Sequence, residues 1–184
     1  GANASGRPFT GDHAGILLFR TLYEMGLSNR PDVAGPEDGL VLLGVLKGAF
    51  VFLADLARQL AVPHHVDFIA LSSYNRGSTS GEVRLIMDSR INVADRHVLI
   101  VEDIVDTGYT LDYLQRTFKA RNPASLRSCV FLSKPARREV PVTIDYLGFE
   151  IPDVWVVGYG LDFADRYRTL PYIGALKERI YEAD

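Results

Sequence analysis

The sequence predicts the α/β fold class, with a mostly parallel central sheet flanked by helices. Two observations support this prediction. Apolar runs that suit strands buried on both faces alternate with segments of helical periodicity. The chain has 184 residues, of which 47% are hydrophobic and 23% charged, so it is long enough to bury a substantial core. A single domain over residues 1–184 is therefore expected.

The first predicted elements are a helix over 14–27, a strand over 40–46 and a helix over 49–60. Apolar side chains recur at helical spacing in the first segment, where Asp12 can cap the helix start. The strand is apolar on both faces, as buried parallel strands are. The second helix shows the same spacing and ends before Pro63. Strand, short loop and helix in this order are typical of a parallel sheet.

The remaining elements begin with strands predicted over 66–71 and 82–87. The polar residues 72–81 between them are expected to form a mobile loop or the tip of a hairpin. A second unit of strand, loop and helix follows, with the strand over 98–101 and the helix over 109–120. Further strands are predicted over 127–132 and, as a lobe or sheet edge, around Tyr146 and over 154–157 and 173–176.

Composition and charge exclude several classes of protein. With 20 basic and 23 acidic residues the net charge is -3, which argues against a dedicated nucleic-acid-binding protein. The one cysteine, Cys129, cannot form an intramolecular disulfide, and its apolar strand predicts a buried, inert thiol. No apolar run reaches the ~18–20 residues of a membrane span, and no secretory signal pattern is visible. We expect a soluble, cytoplasmic protein.

Candidate functional residues cluster where the predicted strands end. In open parallel sheets, ligands bind beyond the carboxyl ends of the strands. This rule singles out the loops after Leu46, Val101, Leu132 and Val157, all of which carry polar or charged residues. Neither G-x-x-x-x-G-K-[ST] nor a helix-opening G-x-G-x-x-G occurs, so nucleotide hydrolysis and dinucleotide binding are disfavoured.

The segment 98–110 is the strongest candidate. Its apolar strand leads into three carboxylates, Glu102, Asp103 and Asp106, and then into a turn that opens a helix. Backbone N–H groups at a helix start favour an anion, so the turn over 106–110 suits a phosphate. Carboxylates this close repel one another, which indicates a bound metal or sugar hydroxyls at the first two acids. The alternative is that Asp106 caps the helix while the other two are solvated turn residues.

Six strings along the chain match the pattern of a known family. They are Leu46-Lys47-Gly48, Ser72-Ser73-Tyr74, the core over 102–108, Ser133-Lys134-Pro135, and the segments 148–153 and 157–162. On these strings, residues 40–176 resemble the type I phosphoribosyltransferases and, more narrowly, their hypoxanthine-guanine branch.

The resemblance implies a fold, a reaction and a cofactor. The fold is the type I phosphoribosyltransferase fold, with a small purine-binding hood built mainly from about 134–176 and the N-terminal segment. In the implied reaction of purine salvage, a ring nitrogen of hypoxanthine or guanine displaces pyrophosphate from C1 of phosphoribosyl pyrophosphate (PRPP). The products are IMP or GMP and pyrophosphate. Mg2+ is the implied cofactor, and a homodimer or homotetramer is the implied assembly.

The resemblance also implies roles for the residues that meet PRPP. Asp106 is the implied general base, which exchanges a proton with the purine N7. Glu102 and Asp103 are implied to lie near the ribose hydroxyls and their Mg2+. Tyr109 stands where some family members carry lysine. The implied ligands of the 5′-phosphate are Asp106, Thr107, Gly108, Tyr109 and Thr110.

Further residues are implied to bind pyrophosphate and to close the site. Lys47, Gly48 and Arg168 match the pyrophosphate-binding positions. The family often has a cis peptide bond before the residue that matches Lys47. Ser73 and Tyr74 match a flexible loop that closes over the reactants and excludes water. The alternative interpretation of this loop is a solvated hairpin.

The purine itself is implied to meet Lys134, Trp155, Val156 and Asp162. Lys134 can donate a hydrogen bond to the 6-oxo group, which adenine replaces with an amino donor, so adenine should be rejected. Trp155 can stack on the purine, although a lone tryptophan among valines is more often part of a core. The backbone at Val156 is implied to contact the purine edge. Asp162 is implied to hold a second Mg2+ on the pyrophosphate.

Other functions stay open at this point. A xanthine-preferring relative is the nearest alternative enzyme. A nucleotide-sensing or RNA-binding regulator on the same fold, or an inactive partner subunit, are the alternatives without catalysis. The presence of Asp106, Lys134, Trp155 and Asp162 favours the enzyme, and the acidic balance counts against RNA binding.

Overall fold

The computed structural model describes residues 9–10, 40–60, 62–73 and 83–181. The helix predicted over 14–27 lies outside these residues. In chain order the elements are β1 (Phe9–Thr10), β2 (Leu40–Leu46), α1 (Phe50–Gln59), β3 (His64–Ser73), β4 (Val83–Met87), β5 (His97–Val105), α2 (Tyr109–Lys119), β6 (Ser125–Ser133), a 3-10 helix (Pro135–Arg137), β7 (Tyr146–Glu150), β8 (Val156–Val157), β9 (Tyr172–Ala175) and α3 (Glu178–Tyr181).

Six strands form one sheet in the order β4-β3-β2-β5-β6-β7. All neighbouring strands are parallel except β3 and β4, which are antiparallel. The central strand β2 is apolar along its length because both of its faces are covered. The predicted fold class, α/β with a mostly parallel sheet flanked by helices, is confirmed.

The two faces of this sheet build two hydrophobic cores. Because side chains alternate along a strand, Leu40 and Leu42 of β2 join the core on the α1 side. Val41, Leu43 and Val45 join the core on the α2 side. Each fully buried side chain of this size stabilises the fold by about 1.5–3 kcal/mol. The buried helix residues are Phe52, Leu53 and Leu56 in α1 and Leu111, Leu114 and Phe118 in α2.

A second, three-stranded antiparallel sheet has the order β1-β9-β8. It lies on the α1 side of the large sheet, because Val156 and Ile173 belong to the same core as α1. The ring of Tyr159, which follows β8, lies 5.1 Å from that of Phe131 in β6. The Tyr159 hydroxyl donates a hydrogen bond to Asp55 of α1. The small sheet is thus tied to both β6 and α1.

Strand β5 is longer than the sequence predicts. It extends to Val105 instead of ending at residue 101, because its ladder with β6 continues through Glu102 and Ile104. Glu102 and Asp103 are therefore strand residues. The alternative that they are solvated turn residues is wrong, since Glu102 lies within the sheet and is 4% exposed.

Two other expectations are corrected by the structure. The strand predicted over 154–157 is only Val156–Val157. Val154 instead belongs to a turn, in which its N–H donates a hydrogen bond to the Pro152 carbonyl at 2.8 Å. That strand belongs to the small sheet, so the loop after it does not follow a strand of the parallel sheet. Helix α2 begins after Gly108 with no side-chain cap. Asp106 is therefore not its cap.

Two predictions from composition can be compared with the structure. Cys129 is buried, and burial raises the pKa of its thiol to about 12. The prediction of a buried, inert thiol is consistent with both observations. In the part of the chain that the structure describes, no helix is long and apolar enough to cross a membrane.

Candidate active site

The carboxyl ends of three neighbouring parallel strands, β2, β5 and β6, define the site. Because these strands are adjacent, the loops that follow Leu46, Val105 and Ser133 emerge at one edge of the sheet. The Lys134 N–H donates a hydrogen bond to the Val105 carbonyl at 3.0 Å. This bond fixes the end of β6 against the end of β5.

Glu102 and Asp103 form an acid pair near the end of β5. Burial, together with the charge of Asp103 and a hydrogen bond to it, raises the pKa of Glu102 well above its usual value. Burial also raises the pKa of Asp103 to about 6, although backbone N–H groups and the charge of Arg168 act in the opposite direction. Both carboxyls are therefore costly to ionise unless a cation or hydroxyl donors share the site.

The loop after β2 lies directly on this acid pair. A Cβ atom at position 48 would lie 1.7 Å from Asp103 Oδ2, so only glycine lets the backbone come this close. The peptide bond Leu46-Lys47 is cis, as the family resemblance implies. Gly160, in the turn after β8, has a φ of 101°, and its Cβ would lie 2.0 Å from the Gly48 carbonyl oxygen. Three separate segments therefore meet here in close contact.

Residues 106–110 form the turn into α2. Gly108 has a φ of 99°, which favours glycine, and a Cβ there would lie 2.6 Å from the Val140 carbonyl oxygen. The Thr107 carbonyl accepts hydrogen bonds from the N–H groups of Glu139 and Val140 at 2.9 and 3.0 Å. The first N–H groups of a helix have no acceptor within the helix, and the helix dipole favours an anion beside them. The turn therefore suits a phosphate.

Tyr109 and Thr110 begin α2. A hydrogen bond to Glu139, together with the charge of that carboxylate, raises the pKa of the Tyr109 phenol. Thr110 is exposed in the first turn of the helix. Both side chains offer neutral hydroxyls, so a phosphate at this turn would meet no cation from them.

Asp106 begins the turn and lies beside an arginine that sequence analysis does not single out. Its Oδ1 lies 2.9 Å from Nε of Arg137, which ends the 3-10 helix after β6. This oxygen is buried and accepts no hydrogen bond of normal geometry among the residues that the structure describes. The contact is therefore an ion pair, and the carboxylate keeps acceptor capacity for a proton on a ligand.

Lys134 follows β6, and only 8% of its side chain is exposed. Its Nζ lies 3.6 Å from Oδ1 of Asp153. The same oxygen of Asp153 lies 3.6 Å from Nη1 of Arg137. Because an ammonium has three donors, this single long ion pair leaves Lys134 able to donate to a ligand.

Lys47 and Arg168 share a carboxylate that sequence analysis also does not single out. Lys47 Nζ donates to the two carboxylate oxygens of Asp165 at 3.0 and 3.3 Å, and Arg168 Nη2 donates to Oδ1 at 3.1 Å. These hydrogen bonds, the one from Lys47 first, lower the pKa of Asp165. Arg168 also pairs with Asp162 at 2.7 Å and donates to the Gly160 carbonyl at 2.8 Å. Lys47 and Arg168 are thus both paired with the Asp165 carboxylate, an anion of the protein itself.

Trp155 lies at the surface of this region and is 44% exposed. Its ring meets that of Phe163 edge to face at 5.4 Å, and its indole N–H donates to the Asp162 carbonyl at 3.4 Å. The alternative that this tryptophan is part of the core is therefore wrong. Val156, the next residue, is buried in β8.

The two residues of the predicted closing loop are only partly described. Ser73 is the last residue of β3, where it pairs with Val83 of β4. Tyr74 lies outside the described residues.

Metal binding was predicted for Glu102, Asp103 and Asp162. Among the described residues, no three histidine, cysteine or acidic side chains are grouped to enclose a metal ion. The charge of Asp162 does raise the pKa of Asp103, so the two are close. Mg2+ is usually held by one or two carboxylates together with substrate oxygens and water. The acid pair of β5 fits a Mg2+ ion that is completed by a substrate.

Four residues at the site have no role in the predictions from sequence, although Asp153 and Gly160 lie within the matched strings: Arg137, Asp153, Asp165 and Gly160. Two of them carry a weak local signal. Arg137 follows Lys134 by three residues, and residues three apart lie on one face of a 3-10 helix. Asp165 follows Asp162 by three residues, and its N–H donates to the Asp162 carboxylate at 2.8 Å. Neither spacing identifies the partner on another segment.

Comparison with known proteins gives two kinds of match. The family model described as phosphoribosyl transferase domain matches residues 25–164. Hypoxanthine phosphoribosyltransferase of Haemophilus influenzae is 50% identical over 138 residues, which cover 74% of this chain and 77% of that protein. Hypoxanthine-guanine phosphoribosyltransferase of Mycobacterium avium is 48% identical over 160 residues, which cover 86% of this chain and 79% of that protein.

A solved structure is similar over nearly the whole chain. Hypoxanthine phosphoribosyltransferase of Trypanosoma cruzi, in complex with the product IMP, superposes with a TM-score of 0.87 and 41% sequence identity. The match covers 94% of this chain and 94% of that one.

Proposed function

Since the chain belongs to the phosphoribosyltransferase family, we propose that it transfers the phosphoribosyl group of PRPP to a 6-oxopurine in purine salvage. Hypoxanthine is the first expected acceptor, giving IMP and pyrophosphate, and guanine the second, giving GMP. The observation that carries this proposal is the arrangement at adjacent strand ends. The acid pair lies near the end of β5, the acceptor carboxylate and a turn suited to a phosphate follow β5, and a buried lysine follows the adjacent strand β6.

The donor is expected to bind along β5 and the turn after it. In this proposal Glu102 and Asp103 meet the ribose hydroxyls, and the turn over 106–110 binds the 5′-phosphate. Lys47 and Arg168 supply positive charge for the leaving pyrophosphate. At Gly48 the backbone itself lies close to the proposed pyrophosphate position. The bond that breaks joins C1 of the ribose to pyrophosphate, and the bond that forms joins C1 to the purine nitrogen.

The acceptor base is expected to lie between Lys134, Asp106 and Trp155. Lys134 donates to the 6-oxo group, and Asp106 takes or returns the proton on N7 as the glycosidic bond forms. The exposed indole of Trp155 stacks on the purine, and the backbone of Val156 meets its edge. The buried position of Lys134 supports recognition of an oxo group, because adenine would place a second donor against it.

Mg2+ is the proposed cofactor. Glu102 and Asp103 would hold it together with oxygens of PRPP, and Asp162 would hold a second ion on pyrophosphate. When bound, the metal supplies charge that stabilises the leaving pyrophosphate. The raised pKa values of the acid pair support this role, because a cation is what such carboxyls require in order to ionise.

We also propose that the small sheet, with the segment from about 134 to 176 and the N-terminal residues, forms a hood over the purine. Ser73 and Tyr74 belong to the proposed loop that closes over the reactants and excludes water. A cytoplasmic homodimer or homotetramer is the expected assembly, which light scattering of the purified protein would test.

The test of the proposed function is nucleotide formation from PRPP with hypoxanthine, guanine, xanthine and adenine in separate reactions, each with and without Mg2+. We expect product with hypoxanthine and guanine, and none with adenine or without metal. A strong preference for xanthine would change the assigned acceptor. Folded protein that binds PRPP but converts no base would favour the regulator or inactive partner instead.

A further inference from the structure

A row of alternating charges joins Asp106 to Lys134. Asp106 Oδ1 lies 2.9 Å from Nε of Arg137, and Nη1 of the same guanidinium lies 3.6 Å from Asp153 Oδ1. That oxygen lies 3.6 Å from Nζ of Lys134. The two intermediate residues, Arg137 and Asp153, therefore connect the proposed general base to the proposed hydrogen-bond donor for the 6-oxo group.

Local structure explains why these side chains meet. The 3-10 helix Pro135–Arg137 starts directly after Lys134, and residues three apart on such a helix lie on one face. Lys134 and Arg137 therefore both turn toward Asp153, which comes from the segment after β7. Lys134 is also tied to the end of β5 through its N–H bond to Val105, so the row spans two strand ends.

The purine explains what such a row can do. In a 6-oxopurine, O6 and N7 lie next to each other on one edge of the ring. When a single base is bound, its O6 must therefore face Lys134 while the neighbouring N7 faces Asp106. Productive transfer requires these two side chains at a fixed spacing, and small displacements of catalytic groups are costly.

We propose that Arg137 and Asp153 are positioning residues of the transfer reaction, which hold Asp106 and Lys134 at the spacing of O6 and N7. This inference rests on the proposed function. Arg137 orients the Asp106 carboxylate by pairing with one of its oxygens. Asp153 holds the Lys134 ammonium from the side, while leaving donors for the base.

If Arg137 and Asp153 contributed only to the stability of the fold, their replacement would have little effect on the reaction. The side chains of Arg137 and Asp153 are 45% and 51% exposed, and exposed ion pairs contribute little to stability. Removing either charge should therefore leave the fold and the PRPP site almost unchanged. A large and selective effect on the purine would come from positioning alone.

The experiment measures kcat and KM for hypoxanthine and for PRPP in Arg137→Gln, Arg137→Lys and Asp153→Asn. Arg116→Gln is the matched control, because Arg116 pairs with Asp112 on α2 at 2.7 Å, in an exposed helical ion pair. Thermal unfolding of each variant is recorded alongside the kinetics.

For Arg137→Gln we expect kcat/KM for hypoxanthine to fall about tenfold or more through kcat. KM for PRPP should stay within about threefold of the wild type, and Tm within about 2 °C. Arg137→Lys should recover part of the loss in kcat/KM, because lysine restores the positive charge but lacks the planar guanidinium that can pair with two carboxylates at once. For Asp153→Asn the expected change is a higher KM for hypoxanthine. The Arg116→Gln control should match the wild type.

A double variant tests whether Arg137 acts through Asp106. When Asp106 is already Asn, adding Arg137→Gln should reduce the residual turnover no further. A further loss equal to that in the wild-type background would overturn the proposal, as would equal losses for hypoxanthine and PRPP, or kinetics like those of Arg116→Gln. Wild-type protein that makes no nucleotide would instead overturn the proposed function, so the two failures are distinguishable.

Discussion

Replacing Gly160 with alanine is the most informative structural perturbation of the site. The Gly160 N–H donates to the Arg168 carbonyl at 2.9 Å, and Arg168 Nη1 donates back to the Gly160 carbonyl at 2.8 Å. A Cβ at position 160 would lie 2.0 Å from the Gly48 carbonyl oxygen. The added methyl group must therefore push apart the two segments that carry the proposed pyrophosphate ligands.

The structure sets the size of the effect. A φ of 101° is unfavourable for any residue with a side chain, which costs about 1–3 kcal/mol. The overlap with a backbone oxygen cannot be relieved by a rotamer change, and such overpacking costs about 1–3 kcal/mol more. The sum is roughly 2–6 kcal/mol, which in a chain of this length lowers Tm by about 4–24 °C.

Gly174→Ala is the matched control, since Gly174 lies in β9 and the nearest atom to its Cβ would be Tyr172 Cε2 at an ordinary 3.7 Å. Thermal unfolding and KM for PRPP are measured for both variants. We expect Gly160→Ala to lose stability as calculated and to raise KM for PRPP, while Gly174→Ala keeps both near wild type. If the two variants behave alike, the close contact between residues 48 and 160 does not support the pyrophosphate site.

Four further predictions follow from individual side chains. Asp106→Asn should lower turnover strongly and leave PRPP binding largely intact; unchanged turnover would remove its role as base. Lys134→Ala should weaken hypoxanthine binding more than PRPP binding in titrations of both ligands, and equal losses would contradict a base-specific contact. Asp165→Asn should tighten the binding of pyrophosphate with Mg2+ by about two- to fivefold at low salt, because Asp165 competes for Lys47; calorimetry that finds weaker binding would contradict this competition. Cys129, whose pKa is raised to about 12 by burial, should resist alkylation at pH 8 in native protein and react after unfolding; rapid native labelling, followed by mass spectrometry, would contradict its burial.

The large sheet could be predicted from the sequence because its signals are local. The apolar runs of β2 and β6 and the periodicity of α1 and α2 each lie within a short segment. The small sheet could not be predicted in the same way. In its strand β1, Phe9 pairs with Ile173 of β9. These residues are far apart in sequence, and no local sequence pattern indicates such a pairing.

The end of β5 differs from the sequence prediction for a physical reason. Glu102 and Asp103 interrupt the apolar run, which therefore predicts a strand that ends before them. In the structure, pairing with β6 carries the backbone through to Val105, and the two acids are held in the sheet, where burial raises the pKa of both carboxyls. The place where the local pattern fails is thus part of the site.

The residues of the family strings could be identified from the sequence, whereas their contacts could not. Asp106, Lys134 and Asp153 lie in the strings, but the row that joins them through Arg137 requires two strand ends and a third segment to come together. The contact of Asp165 with Lys47 likewise joins residues that are 118 positions apart. Such contacts depend on tertiary structure.

The most direct test of the central claim is to measure pyrophosphate release from PRPP and Mg2+ with hypoxanthine present, and with no base in a parallel reaction. The arrangement of Lys134 and Asp106 predicts that release depends on hypoxanthine and that IMP and pyrophosphate appear in equal amounts. Release at the same rate without a base, or with adenine in place of hypoxanthine, would contradict transfer to a 6-oxopurine at this site.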